Sequence, residues 1–170
     1  MLLTGCSSSK DDQSADDKPS ASSATSSTTS SAAPTPLPTI NAARVVAALT
    51  GAGYQCVPDA TYVTCTSGAT SVAVLTGSHP RPPVVSLHAA GPVDTSSAEI
   101  AKVLPQVLEL AHVNQRADIL TWFGQQKGDT TAQLTTGDWL VEYSAEVDTE
   151  EPGTNLTLTD KLCTVNCQAE

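Results

Sequence analysis

The first 39 residues contain none of the chain's six aromatic side chains, and that stretch limits how much of the protein is able to fold. Residues 7–39 comprise 11 Ser, 5 Thr, 5 Ala, 4 Pro and 4 Asp, with Lys10, Gln13, Lys18 and Leu37 as the remainder. Such a segment buries too little apolar surface to offset its ordering entropy, so a disordered tether is expected, stiffened near Pro34, Pro36 and Pro38. As a flexible coil it spans about 30 Å, and as extended polyproline II at most about 100 Å. The foldable part is residues 40–170, enough for one ordinary core and too short for two.

Charge narrows the classes of partner. The formal charge is −10, from 8 basic and 18 acidic side chains; the tail's four Asp and two Lys account for −2, leaving −8 on residues 40–170. The few cations are scattered singly, whereas nucleic-acid binding needs clustered Lys and Arg to neutralise phosphates, so that class is excluded. No run of roughly 18 apolar residues is present, and nothing in the chain reads as a membrane-spanning helix.

Ahead of the tether stands Leu3-Thr4-Gly5-Cys6, followed by Ser7-Ser8-Ser9. This motif resembles the lipobox of bacterial lipoproteins. The tether composition and the Ala, Thr, Val and Asp usage are similar to those of surface lipoproteins of high-GC Gram-positive bacteria. The resemblance implies cleavage before Cys6, a diacylglyceryl group on its sulfur, and a protein held on the extracytoplasmic face of the cell membrane. Each buried methylene contributes about 0.8 kcal/mol, so two or three acyl chains hold stably where one does not. An export signal has a basic start and an apolar core of roughly 7 to 15 residues. Only Met1-Leu2-Leu3 precedes the motif, so residues 1–6 are expected to be the remnant of a longer signal and lipobox segment.

Cys56, Cys65, Cys163 and Cys167 remain, an even number that in an exported domain reads as two disulfides with three possible connectivities. Local pairing is favoured, because Cys56 and Cys65 flank the turn signal Val57-Pro58-Asp59-Ala60-Thr61 and two short strands place them opposite one another. Cys163 and Cys167 then close a small ring at the carboxyl end. A four-cysteine zinc site fits poorly, since structural zinc favours two close pairs.

The order of elements reads α-βββ-αα-βββ. Asn41 caps a short first helix, with Ile40 reaching Val45 as a staple and Gly51 or Gly53 as its end. Strands follow at Tyr62 to Cys65, Ser71 to Thr76 and Val84 to Ala89, with a stiff, exposed loop at Pro80, Pro82 and Pro83. Ser96 and Glu99 predict a capping box, and Ile100, Val103, Leu104, Val107, Leu108 and Ala111 predict one apolar face. Pro105 predicts a kink or a restart near Leu104. A second helix is predicted from Gln115 to Lys127, capped by Asn114 and stopped by Gly128, with Trp122 and Phe123 on its core side. Strands at Thr131 to Thr135, Trp139 to Glu146 and Thr154 to Thr159 complete the chain, the first two joined by a type II′ turn at Gly137-Asp138. The fold class is α+β, an antiparallel sheet built from two α-βββ-like halves with helices packed on one face.

The search for chemistry yields little. Ser86 and His88 share one face of a predicted strand with Asp94 nearby, but no G-x-S-x-G elbow presents the serine, and catalysis is discounted. His79 sits in a loop and His112 near a helix end, with no ligand-spaced histidine pair. The acidic run Glu146 to Glu151 lacks the spacing of a calcium loop and reads as a solvated turn. Asn155-Leu156-Thr157 matches a glycosylation acceptor, discounted because the lipobox implies a bacterium. No enzyme and no cofactor are expected. The expected function is a membrane-anchored lipoprotein displaying a small disulfide-bonded interaction domain toward an envelope component or protein partner. The alternative is a carrier of an apolar, lipid-like ligand held between helices and sheet.

Overall fold

The computed structural model describes residues 41–77, 79–127, 130–147 and 151–163, all within the unit Leu37–Glu170. Asn41 starts the first helix, α1 (Ala42–Gly51), its Oδ1 accepting from the Arg44 amide at 3.0 Å. The predicted cap is therefore in place; its staple partner Ile40 lies outside the described residues. Four strands follow: β1 (Gln55–Asp59), β2 (Tyr62–Ser67), β3 (Thr70–Leu75) and β4 (Val84–Ala90). Two helices, α2 (Val93–Leu110) and α3 (Arg116–Phe123), lead to β5 (Thr131–Thr136), β6 (Trp139–Glu146) and β7 (Gly153–Asp160). All strand pairings are antiparallel and the sheet order is β1-β2-β3-β4-β7-β6-β5. The fold is mixed α+β, and the described residues form a seven-stranded antiparallel sheet with three helices.

Register explains why the sheet has one apolar and one polar face. Cys56, Cys65, Val72, Leu87, Leu156, Tyr143 and Ala132 align across all seven strands, and Pro58, Val63, Val74, Val85, Leu158, Val141 and Leu134 form the next row. Side chains two apart on a strand share a face, so both rows point the same way. Apart from Pro58, which is exposed at the edge, they share one hydrophobic cluster with Val45 and Leu49 of α1, Ile100, Leu104 and Leu108 of α2, and Ile119 and Phe123 of α3. The reverse face carries Thr64, Ala73, Ser86, Thr157, Glu142 and Gln133 in register.

Several sequence expectations are corrected. The first meander has four strands rather than three: Val57, Pro58 and Asp59 belong to β1, and the turn shrinks to Ala60-Thr61. The proline loop is not an exposed linker, because Pro82 and Pro83 are buried. Helix α2 begins at Val93 rather than at a Ser96 cap. Ser96 is fully buried, with its Oγ 2.6 Å from Thr154 Oγ1 and 3.2 Å from the Pro92 carbonyl, while Glu99 pairs with Lys102 at 2.6 Å. The helix then runs unbroken through Pro105. Proline removes the amide that would bond the Ala101 carbonyl, and both residues lie on the solvent side, where that carbonyl is not left in an apolar interior.

Helix α3 is shorter than its pattern predicts, starting after Gln115 in a left-handed conformation (φ 53°) and ending at Phe123. The three two-residue hairpins share one device: the first turn residue has positive φ, at Ala60 (50°), Gly68 (60°) and Gly137 (53°). That matches the primed-turn geometry that antiparallel hairpins favour. Among the described residues no helix is long and apolar enough to cross a membrane.

Candidate binding surface

Among the described residues no layer covers the sheet face away from the helices, and its chemistry comes from the alternation of β4, β6 and β7. Apolar residues of these strands turn inward, which leaves Ser86, His88, Asn155, Thr157, Glu142 and Ser144 outward. These groups pair across strands: Ser86 Oγ lies 3.2 Å from Thr157 Oγ1, and His88 Nδ1 lies 2.9 Å from Asn155 Oδ1. On the flanking strand Gln133 Nε2 donates to Glu142 Oε1 at 3.2 Å. Gly153 leaves room for the imidazole, since a Cβ there would stand 2.8 Å from His88 Cε1. The result is a flat array of mostly neutral hydrogen-bonding groups, hollowed to about 490 Å³ between Thr131, Gln133, Ser144 and Thr157.

The two residues read as a discounted catalytic pair, Ser86 and His88, do share this face. Their third candidate does not join them: His88 bonds Asn155, and Asp94 lies in the first turn of α2, in the layer over the opposite face. His79 is half-buried, with Nδ1 3.7 Å from Cys163 Sγ. His112 takes φ 54° at the end of α2, where its amide bonds the Glu109 carbonyl and the Val113 amide bonds Leu108. The three histidines thus sit in three separate environments. No group of three His, Cys, Asp or Glu side chains is placed to hold a metal among the described residues. The acidic run is only partly described: Glu146 ends β6 and Glu151 precedes β7, with 148–150 outside the described residues.

Cys56 and Cys65 form the expected disulfide, directly opposite one another on β1 and β2. Cys163 is also in a disulfide, and its expected partner Cys167 lies outside the described residues, as do Cys6 and residues 7–39. Phe123 is buried with its ring edge toward Tyr143, centroids 6.0 Å apart, and Trp122 is half-buried; both serve the core side of α3.

Two features had no sequence signal strong enough to find them. Arg81, the single cation among the loop prolines, reaches Asp160 with Nε and Nη2, approaches Asp138 at 3.5 Å, and lies 5.5 Å from the centre of the Trp139 ring. Hydrogen bonding to the Asp160 carboxylate raises the Arg81 pKa, so the guanidinium stays charged. The second feature is a groove of about 590 Å³ beside α1, lined by Ala42, Ala43, Val46 and Ala47 with Val63, Thr76 and His79. It lies at the end of the domain nearest in sequence to the Ser-rich segment.

No protein-family model matches the chain, and no curated protein or solved structure matches it.

Proposed function

We propose that the chain is an extracytoplasmic lipoprotein, anchored through Cys6 and displaying residues 40–170 on a Ser/Thr/Pro-rich tether as a binding domain without catalytic chemistry. The observation that carries this reading is the Cys56–Cys65 disulfide, fixed in register at the core side of the sheet. Disulfides persist in oxidising compartments, which agrees with export. The displayed surface is the open sheet face, whose Ser, Thr, Asn and His groups favour a partner rich in hydrogen-bonding groups over a highly charged one. Its ligand is an envelope component or a partner protein. Membrane fractionation and intact-mass measurement of the native protein test the anchor. The expected result is an acylated Cys6, with the Cys6→Ala protein released into the medium; an unacylated chain in the cytosol overturns it.

The groove beside α1 supports a second reading, an apolar-ligand carrier. The site moves from the region under α2, where Ile100, Leu104 and Leu108 are fully buried, to the open groove at Ala43 and Val46. Its volume falls in the roughly 300–1,000 Å³ range of small-molecule sites. Saturable binding of a fluorescent fatty acid that is lost in Ala43→Trp supports a carrier, and absence of saturable binding removes it.

A further inference from the structure

The two edges of the sheet are unlike. In an antiparallel ladder, directly opposite residues alternate between exchanging both backbone bonds and exchanging none, so one known bond assigns the direction of every other. The Thr76 amide bonds the Thr61 carbonyl at 2.8 Å, which directs the backbone groups of Val63 and Cys65 toward β3. On β1 the residues facing them, Pro58 and Cys56, therefore point their backbone groups outward. Pro58 has no amide hydrogen to offer, so this edge is blunted, as edges that avoid further pairing are.

The other edge has no such protection. The Ala145 amide bonds the Thr130 carbonyl at 2.8 Å, so Ala132, Leu134 and Thr136 turn their backbone groups toward β6. Thr131, Gln133 and Thr135 turn theirs outward, and among the described residues no backbone group bonds them. Strand β5 contains no charged residue and no proline, and its six residues pair in unbroken register. Leu134 and Ala132 are only partly buried, as are Leu120 and Trp122 of α3. An edge of this kind is a template for a further strand.

We propose that β5 is the docking edge for a second copy of this chain, the two β5 strands pairing antiparallel about a two-fold axis at Gln133. The sequence of the strand singles out this occupant. With Gln133 opposite itself, Ala132 faces Leu134 and Thr131 faces Thr135, so apolar meets apolar on the helix-covered side and Thr meets Thr on the open side. No charge is brought opposite another, although the domain carries −8. All three outward residues then exchange backbone bonds, and the row ending in Ala132 continues into the partner. Because Pro58 blunts the other edge, the assembly closes at two copies instead of growing into a fibre. The pairing rests on the sheet and is independent of the Cys6 anchor.

The test is analytical ultracentrifugation of the full chain from micromolar to millimolar concentration, with Cys6→Ser to remove that thiol. A reversible species of twice the chain mass is expected. Gln133→Pro deletes an outward amide without touching the backbone bonds to β6, and should raise the dissociation constant about 30-fold through the two symmetric bonds lost, with an unchanged circular dichroism spectrum; Gln133→Ala, which removes only the exposed side-chain bond to Glu142, should dimerise as the native chain does. Gln133→Cys should cross-link to itself under mild oxidation. A chain that stays monomeric throughout, one that dimerises equally well as Gln133→Pro, or a monomer that captures only another protein's strand overturns the proposal.

Discussion

Arg81 and Asp160 stand 79 residues apart in the chain, yet the guanidinium grips the carboxylate through Nε and Nη2, the latter at 2.6 Å from Oδ1. Asp160 is only 4% exposed and also accepts from the Leu162 amide at 2.9 Å. The pair fastens the proline loop to the end of β7. Removing one partner of a buried pair strands the other charge, and with Arg81 partly open to solvent the expected cost of Arg81→Ala is about 2–4 kcal/mol. The double variant Arg81→Ala with Asp160→Asn should cost less than the single. Urea unfolding of the single and double variants checks both statements.

Pro105 lies on the solvent face of α2, where its ring breaks one helical bond with no packing gained. Pro105→Ala should therefore raise stability by about 1–3 kcal/mol, seen as a higher thermal midpoint. A midpoint that falls would mean that the ring is packed in a way the exposed position does not suggest.

Ala60 holds a left-handed conformation that Gly68 and Gly137 adopt in the matching hairpins. A Cβ in that region costs roughly 1–2 kcal/mol, partly offset by the greater unfolded-state freedom of glycine. Ala60→Gly is expected to gain about 0.5–1 kcal/mol in chemical denaturation, whereas Gly68→Ala should lose a comparable amount.

Burial raises the phenols of Tyr54 and Tyr62 above their ordinary value of 10.0. Both native phenols hold their protons more tightly than the unfolded chain does. Their contribution is thus fully present below pH 10.0 and is lost as pH rises through the folded values. The urea midpoint should fall on the alkaline side of that value. Tyr62→Phe should flatten the fall without harming the neutral protein, because the Tyr62 hydroxyl is buried without a hydrogen-bond partner among the described residues.

The Cys56–Cys65 disulfide closes a short loop with a sequence separation of 9. In the chain-entropy account such a loop contributes about 2–3 kcal/mol, and the variant with both Cys56→Ala and Cys65→Ala should lose that amount. Comparison of thermal midpoints for the oxidised and alanine proteins measures it.

Much of the architecture was legible because inward residues alternate strictly. Trp139, Val141, Tyr143 and Ala145 announced β6, and Ile100, Leu104 and Leu108 announced the buried face of α2. The pairing of Cys56 with Cys65 followed from their places on either side of a turn. The sequence misled where a local rule lost to tertiary context. Pro58 looked like a turn residue, but on an edge strand its missing amide faces outward and costs nothing. Ser96 looked like a cap, but Thr154, 58 residues away, takes its hydroxyl into the core. The open sheet face was not legible as a surface, because its members come from both meanders and assemble only when β4 meets β7. Arg81 was equally hidden, since no local pattern connects it to Asp160.

That meeting of β4 with β7 also sets the order in which the protein becomes whole. Ser86 and Thr157 sit side by side although 71 residues separate them, and among the described residues the junction is the only strand pairing between the two meanders. Until β7 has been made, β4 is itself an edge, its Val84, Val85 and Leu87 lacking a strand on the side away from β3, and such a strand is aggregation-prone. Long-range pairing of this kind slows folding. A chain truncated before Gly153 therefore keeps its first hairpins and loses the junction, leaving a half-sheet that aggregates.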